Sequence, residues 1–328
     1  MAYSQPYIAI IDVGHGGSIV LRDQGKTFIV DCGAKSAGLL EFLDKEGITD
    51  IDQIFLTHAD ADHIGGLVGI VATGRFKING IHYNPDGTKA SAAWDDLAFV
   101  VNELHLSGKS EIVPKLICER EHRMCGEIEL ETVGPSAYLA TKGVGNKDSS
   151  DRLIVSNSLS ASFRVHWKGQ SLVYIAGDID QVAVDDLDKN GADLQADILV
   201  YPHHGGKSGA GDPREFTRRL CSLVAPKTVI FSIGRAKFEN PRPEVVAEVR
   251  AQIKDVRISC TQLSIHCSER IKYTDFSHLA EVYSRGLEDH FCCSGTFVIR
   301  LKDGVAEVPE RARHADFIGK AATSPLCL

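Results

Sequence analysis

The sequence has no run of about 18 apolar residues, the length needed to cross a bilayer. Its opening, Met1 to Pro6, carries neither the basic nor the apolar region of a signal peptide. A cytoplasmic protein without a membrane partner is therefore expected. Positive charge is also short, with 36 Lys and Arg against 44 Asp and Glu and a formal net charge of -8. That balance disfavours broad, sequence-independent binding to nucleic acid, which depends on neutralising phosphates, unless a local basic surface or bound cations supply the attraction. Internal repeats and low-complexity linkers are missing, so no second large domain is expected. The nine cysteines form no Cys-x-x-Cys knuckle, and their odd number leaves one over in any all-disulfide scheme. Reduced thiols or metal ligands fit this better than disulfides.

What is present is a dense polar stretch. Thr57-His58-Ala59-Asp60-Ala61-Asp62-His63-Ile64-Gly65-Gly66 sets four potential metal ligands within six residues, directly after the apolar run Ile54 to Leu56. Imidazoles and carboxylates at this density are costly to bury unless a cation compensates them. The alternative is a polar loop after a strand. Apolar runs at Tyr7–Val13, Ile51–Leu56, Ser171–Ile175, Ala196–Tyr201 and 228–233 read as strands. Segments 37–43, 64–71, 91–106, 182–187, 213–223 and 243–253 read as helices, so strand and helix alternate in a mixed α/β chain. Further short strands are expected at 115–118, 128–133 and 158–166, and a closing hairpin at 294–301 and 305–308. The loop 142–152 reads as exposed and flanking the substrate entrance.

Three other strand ends carry chemistry-bearing residues: Asp12-Val13-Gly14-His15-Gly16, Ala176-Gly177-Asp178, and Pro202-His203-His204-Gly205-Gly206-Lys207. Ligands in layered α/β proteins collect beyond the carboxyl ends of strands. For Asp12 a carboxylate that orients neighbouring loop groups is favoured over a metal ligand. His15 reads equally as a substrate contact or as loop structure. Asp178 reads either as a metal ligand or as a helix N-cap. Lys207 reads as a solvated loop lysine or a phosphate contact, and Cys118 and Cys125 as ordinary packing.

Together these motifs resemble the metallo-β-lactamase superfamily, in the His-x-Asp-x-Asp-His form of ComEC-type DNA-uptake proteins and their soluble relatives. The resemblance implies a four-layer αββα sandwich over residues 1–255, followed by a Cys-rich C-terminal extension, 256–328, packed on it. It further implies two divalent metal ions, with His58 and Asp60 on the first, Asp62 and His63 on the second, and Asp178 bridging them. Asp62 is then the base that orients the attacking water, and His203 or His204 serves the leaving group. Asp60, Asn157 and Asn240 stand where histidine is common in the superfamily, a shift from nitrogen toward oxygen that favours Mn2+, with Zn2+ open. Asn157 either lines the first metal position or is a plain turn residue. Loss of the histidine at 240 calls for a replacement nitrogen from His203 or His204.

In the extension, Cys260, Cys267, Cys292, Cys293 and Cys327 are candidates for a structural zinc or for buried thiols. The function expected is a metal-dependent phosphodiesterase or nuclease acting on nucleic acid or a nucleotide. Ester, lactone or amide hydrolysis, or a metal-binding interaction module without catalysis, are the alternatives.

Overall fold

The structure is a computed structural model that describes residues 5–119, 121–209, 211–235, 237–271 and 273–328. The signal-peptide question at Met1 to Pro6 falls largely outside these residues. In chain order the elements are β1 (Tyr7–Ile10), β2 (Ile19–Asp23), β3 (Lys26–Val30), α1 (Ser36–Lys45), β4 (Asp50–Leu56), α2 (Ala61–Ala72), β5 (Lys77–Tyr83), α3 (Ala92–Leu106), β6 (Glu111–Val113), β7 (Arg123–Cys125), β8 (Ile128–Gly134), α4 (Ala137–Lys142), β9 (Ser162–Trp167) and β10 (Gln170–Ile175). They continue with α5 (Gln181–Lys189), β11 (Ile198–Val200), α6 (Pro213–Val224), β12 (Thr228–Phe231), α7 (Pro243–Gln252), β13 (Arg257–Cys260), β14 (Phe297–Lys302), β15 (Val305–Glu307) and α8 (Arg311–Ala321).

Two sheets result, ordered β15-β14-β1-β2-β3-β4-β5-β6 and β13-β12-β11-β10-β9-β8-β7. Side chains alternate across a strand, and here both faces are apolar, so each sheet feeds two cores. From β1, Ile8 and Ile10 enter the layer between the sheets, while Tyr7 and Ala9 pack beneath α1, α2 and α3. From β12, Ile230 enters the inter-sheet layer, while Val229 and Phe231 meet the helices on the far side. The layers are helix, sheet, sheet, helix, the αββα arrangement expected.

Parallel pairing is confined to the runs β3-β4-β5-β6 and β10-β11-β12-β13. The loops after β4, β10, β11 and β12 leave from the carboxyl ends of these runs, and all four reach one edge of the sandwich. The chain beyond residue 255 enters both sheets: β13 extends one, and β14 pairs antiparallel with β1 in the other, with Ile8 opposite Ile299.

Several boundaries differ from expectation for local reasons. Residues 115–118 form no strand, because the Asn84 side chain binds the backbone N–H and C=O of Leu116 (both 2.7 Å) in place of a ladder. Cys125 lies buried in β7 and not in a turn. Residues 156–159 form a 3₁₀ turn, held by the Ser158 hydroxyl donating to Asp180 (2.6 Å), and the strand starts at Ser162. Helix α8 was not anticipated. Among the described residues no helix is long and apolar enough to cross a membrane.

Candidate metal centre

The dense motif divides between two elements. His58 follows β4, Asp60 occupies the N-cap of α2, and Asp62 and His63 lie in the first turn of that helix, three residues earlier than expected. Gly65 and Gly66 explain how α2 docks. A Cβ at Gly66 would stand 2.0 Å from the Cys32 carbonyl oxygen, and one at Gly65 would stand 2.6 Å from that of Ala34. Only glycine lets the helix approach the loop after β3 this closely.

That loop holds a residue the sequence reading missed. Asp31, buried and with φ of +60°, accepts hydrogen bonds from the Thr57 amide (2.8 Å), the Thr57 hydroxyl (2.8 Å) and His63 Nδ1 (2.7 Å). The Thr57 hydroxyl in turn accepts from His58 Nδ1 (2.9 Å). Both imidazoles therefore carry their proton on Nδ1, which leaves each Nε2 with a bare lone pair. Asp31 sits just past a strand end, as the recognised motifs do, but no histidine or second carboxylate adjoins it.

His203 and His204 are both in the left-handed region, with φ of 51° and 54°, a conformation costing non-glycine residues on the order of 1–3 kcal/mol each. The conformation splays the two rings. His203 donates from Nε2 to the Ile179 carbonyl (3.1 Å) and sets Nδ1 3.5 Å from Asp178. His204 donates from Nδ1 to the Ser232 carbonyl (2.7 Å) and sets Nε2 3.3 Å from Asp62. Each N–H is thus committed to a backbone carbonyl, so neither ring presents a proton to a leaving group in this arrangement.

Two ligand clusters form. The metal-binding atoms of His58, His63 and Asp178 lie within 4.8 Å of one another, as do those of His15, Asp62 and His204. The grouping differs from the expected pairs because Asp62 and His63 are adjacent on a helix, where successive side chains diverge by about 100°. His63 turns toward His58 and Asp178; Asp62 turns toward His204 and His15. Asp60 belongs to neither cluster: its carboxylate pairs with Lys89 and lies 3.6 Å from His58 Nε2. His15 contacts Asp62 at 3.1 Å, a placement neither of its sequence readings contained.

Asp178 is not a helix cap. Asp180 caps α5, accepting from the Ala183 amide at 3.0 Å. A Cβ at Gly177 would stand 2.5 Å from the Ser160 hydroxyl and 2.8 Å from the Ala161 carbonyl oxygen. Asn157 and Asn240 line the cavity over the clusters, and Asn240 donates to the His203 carbonyl at 3.4 Å. The loop 142–152 is away from this cavity. Arg152 binds Asp148 and Asp185, tying the loop to α5.

The electrostatics call for cations. His58 Nε2, His63 Nε2 and His204 Nε2 are buried without a hydrogen-bond donor, and each faces a carboxylate. Such a pair needs positive charge between nitrogen and carboxylate, supplied by a proton when no metal is bound and by a cation when one is. Burial opposes ionisation of Asp62 and Asp178, yet the surrounding imidazoles hold both well below the usual carboxylate range. Burial likewise opposes charging of His63, yet Asp31 and Asp178 raise it well above the ordinary imidazole value. The donor set of imidazole nitrogens and carboxylates suits two divalent metal ions.

Asp12 takes the orienting role. Buried, it accepts from the Gly14 amide (3.1 Å), Gln262 (2.9 Å) and the Gly286 amide (2.8 Å). Cys292 is directed at Asp12, apart from the other tail thiols. Cys260, Cys267, Cys293 and Cys327 share one neighbourhood, but no three of their sulfurs come within 4.8 Å of one another. Burial pushes these thiols up in pKa, so they pack as neutral core groups. Cys125 is free and buried, which agrees with packing, whereas Cys118 is free and exposed, which does not.

A two-sheet sandwich with helices on both outer faces and clustered His and Asp ligands at the ends of its parallel strands is the metallo-β-lactamase fold. Residues 11–117 match the family described as Metallo-beta-lactamase superfamily. Over that part the chain is similar to the superfamily, its fold is the metallo-β-lactamase fold, and its two clusters are consistent with hydrolase activity. More particularly, it shows weak similarity to competence proteins. It is 24% identical over 262 residues to Competence protein ComA of Neisseria gonorrhoeae, covering 78% of this chain and 31% of that protein. It is 22% identical over 268 residues to ComE operon protein 3 of Bacillus subtilis (strain 168), covering 74% of this chain and 30% of the relative. The chain thus spans about a third of the length of these curated relatives. Among solved structures, the metallo-beta-lactamase fold protein YhfI from Bacillus subtilis superposes with a TM-score of 0.47 at 11% identity, over 78% of this chain and 96% of that one.

Proposed function

We propose that the protein is a two-metal phosphodiesterase or nuclease. The observation that carries the metal part is the convergence of three buried imidazole nitrogens, none with a hydrogen-bond partner, on Asp62 and Asp178. His58, His63 and Asp178 would hold one cation, and Asp62, His204 and His15 the other, with Mn2+ favoured over Zn2+ by the oxygen content. Two such cations would supply Lewis acidity and lower the pKa of a bound water.

The chain's own residues do the rest. Asp31 and Thr57 fix the tautomers of His63 and His58. Asp62, held ionised, can accept a hydrogen bond from the attacking water and orient it. Lys207, Lys237 and Arg242 line the mouth of the same cavity, about 580 Å³ in volume, and offer fixed positive charge to phosphate oxygens and a departing alkoxide. Residues 256–328 are proposed to brace the site, through Gln262 and Gly286 on Asp12, while 1–255 carry every proposed ligand. Nine free cysteines support a reducing, cytoplasmic setting.

The test joins metal analysis to turnover. The purified protein should cleave a phosphodiester with Mn2+, and His58→Ala and Asp178→Asn should each lower kcat/KM by at least a hundredfold with loss of bound metal. Turnover of lactones or esters alone would assign the other hydrolase class. Bound metal with neither activity would mark a binding module.

A further inference from the structure

Phe238 is 57% exposed, and among the described residues it is the only exposed large apolar side chain lining the metal cavity. Its ring meets the His15 imidazole at a tilt of 51°, with centroids 4.4 Å apart, and His15 itself contacts Asp62. Lys237 lies over the same ring at 5.2 Å. The loop carrying these residues is pinned from the tail. On one side Arg235 donates to the backbone carbonyls of Leu263 (2.6 Å) and Ser268 (2.6 Å). On the other, His266 donates to the Glu239 carbonyl (2.9 Å). An apolar ring left in water, yet fixed against a ligand of the metal centre and flanked by a cation, has the make-up of a stacking platform beside a phosphate site.

We infer that Phe238 is the base-stacking subsite of this enzyme: a nucleobase next to the scissile phosphodiester stacks on the Phe238 ring while Lys237 contacts its phosphate. The assignment rests on the phosphodiesterase reading and narrows its substrate class to nucleotidyl esters, nucleic-acid ends included.

The experiment compares two substrates in the manganese-loaded protein: the p-nitrophenyl ester of thymidine 5′-monophosphate, and methyl p-nitrophenyl phosphate, which has the same leaving group and no base. Loss of one base–aromatic stack is expected to lower the ratio of their kcat/KM values by roughly five- to a hundredfold in Phe238→Ala. The change should reside in KM, and Phe238→Trp should restore it. Binding of thymidine 5′-monophosphate, followed by calorimetry, should weaken in the same proportion, while inorganic phosphate should not respond. An unchanged ratio and unchanged nucleotide binding in Phe238→Ala would overturn the subsite while leaving the phosphodiesterase intact. Absence of turnover of both esters in the unaltered protein would overturn the underlying reading instead.

Discussion

Asp31→Asn separates tautomer control from metal ligation. Asparagine has nearly the shape of aspartate and is among the residues that tolerate a φ of +60°, so the backbone at 31 is left undisturbed. What changes is the polarity of one atom. Asp31 Oδ2 accepts from both the Thr57 hydroxyl and His63 Nδ1, while Oδ1 accepts from the Thr57 amide. Whichever way the new amide is turned, its NH2 faces a buried N–H, and an unsatisfied buried donor costs about 1–3 kcal/mol. If the NH2 faces His63, the ring can relieve the conflict by moving its proton to Nε2, the atom aimed at Asp178, which removes a ligand lone pair. Loss of such a supporting hydrogen bond typically lowers metal affinity by about 10- to 100-fold. That corresponds to about 1.4–2.7 kcal/mol. Competition against a chelator, with metal content read on the protein after gel filtration, measures this, and the melting temperature of the metal-free variant reports the structural cost separately. Wild-type metal affinity in Asp31→Asn would refute the reasoning, because the variant removes no proposed ligand.

Two further outcomes follow from packing and burial. Gly66→Ala would drive a methyl into the Cys32 carbonyl, so α2 must shift; a loss of about 1–3 kcal/mol in denaturant unfolding is expected, with weaker metal binding because Asp62 and His63 ride on that helix. His314, on α8, has its pKa lowered to about 3 by burial and then by Arg257 and His278. It folds neutral, so its contribution is complete above the ordinary value near 6.5 and is lost progressively as pH falls toward 3. Between pH 7 and 5 this comes to about 2 kcal/mol; thermal melts of His314→Gln should lose less stability over that interval than the unaltered protein, and parallel slopes would count against the burial argument.

Local sequence was sufficient wherever a feature is local. Apolar runs of strand length, glycine punctuation and the concentration of His and Asp at strand ends marked the layered α/β architecture and the region of the site, because pattern and burial are coupled residue by residue. Asp12 could be read as an orienting carboxylate from its loop alone, although its partners Gln262 and Gly286 are some 250 positions or more away.

Tertiary structure decided which candidate ligands cluster together. The family resemblance implied Asp62 with His63; the turn of α2 separated them, and pairing across loops joined His63 to His58 and Asp62 to His204 and His15. Asp31 could not be found from its own neighbourhood, since its importance comes from a strand neighbour 26 residues on, Thr57, and from a helix docked through Gly65 and Gly66. The tail likewise reads in sequence as a cysteine-rich appendage. In the fold its strands complete both sheets and its loop carbonyls hold Arg235, so its thiols are core and its contribution to the site is positional. Composition and periodicity determine what kind of layer a segment joins; which side chains converge at the layer's edge depends on chain crossings that no local pattern encodes.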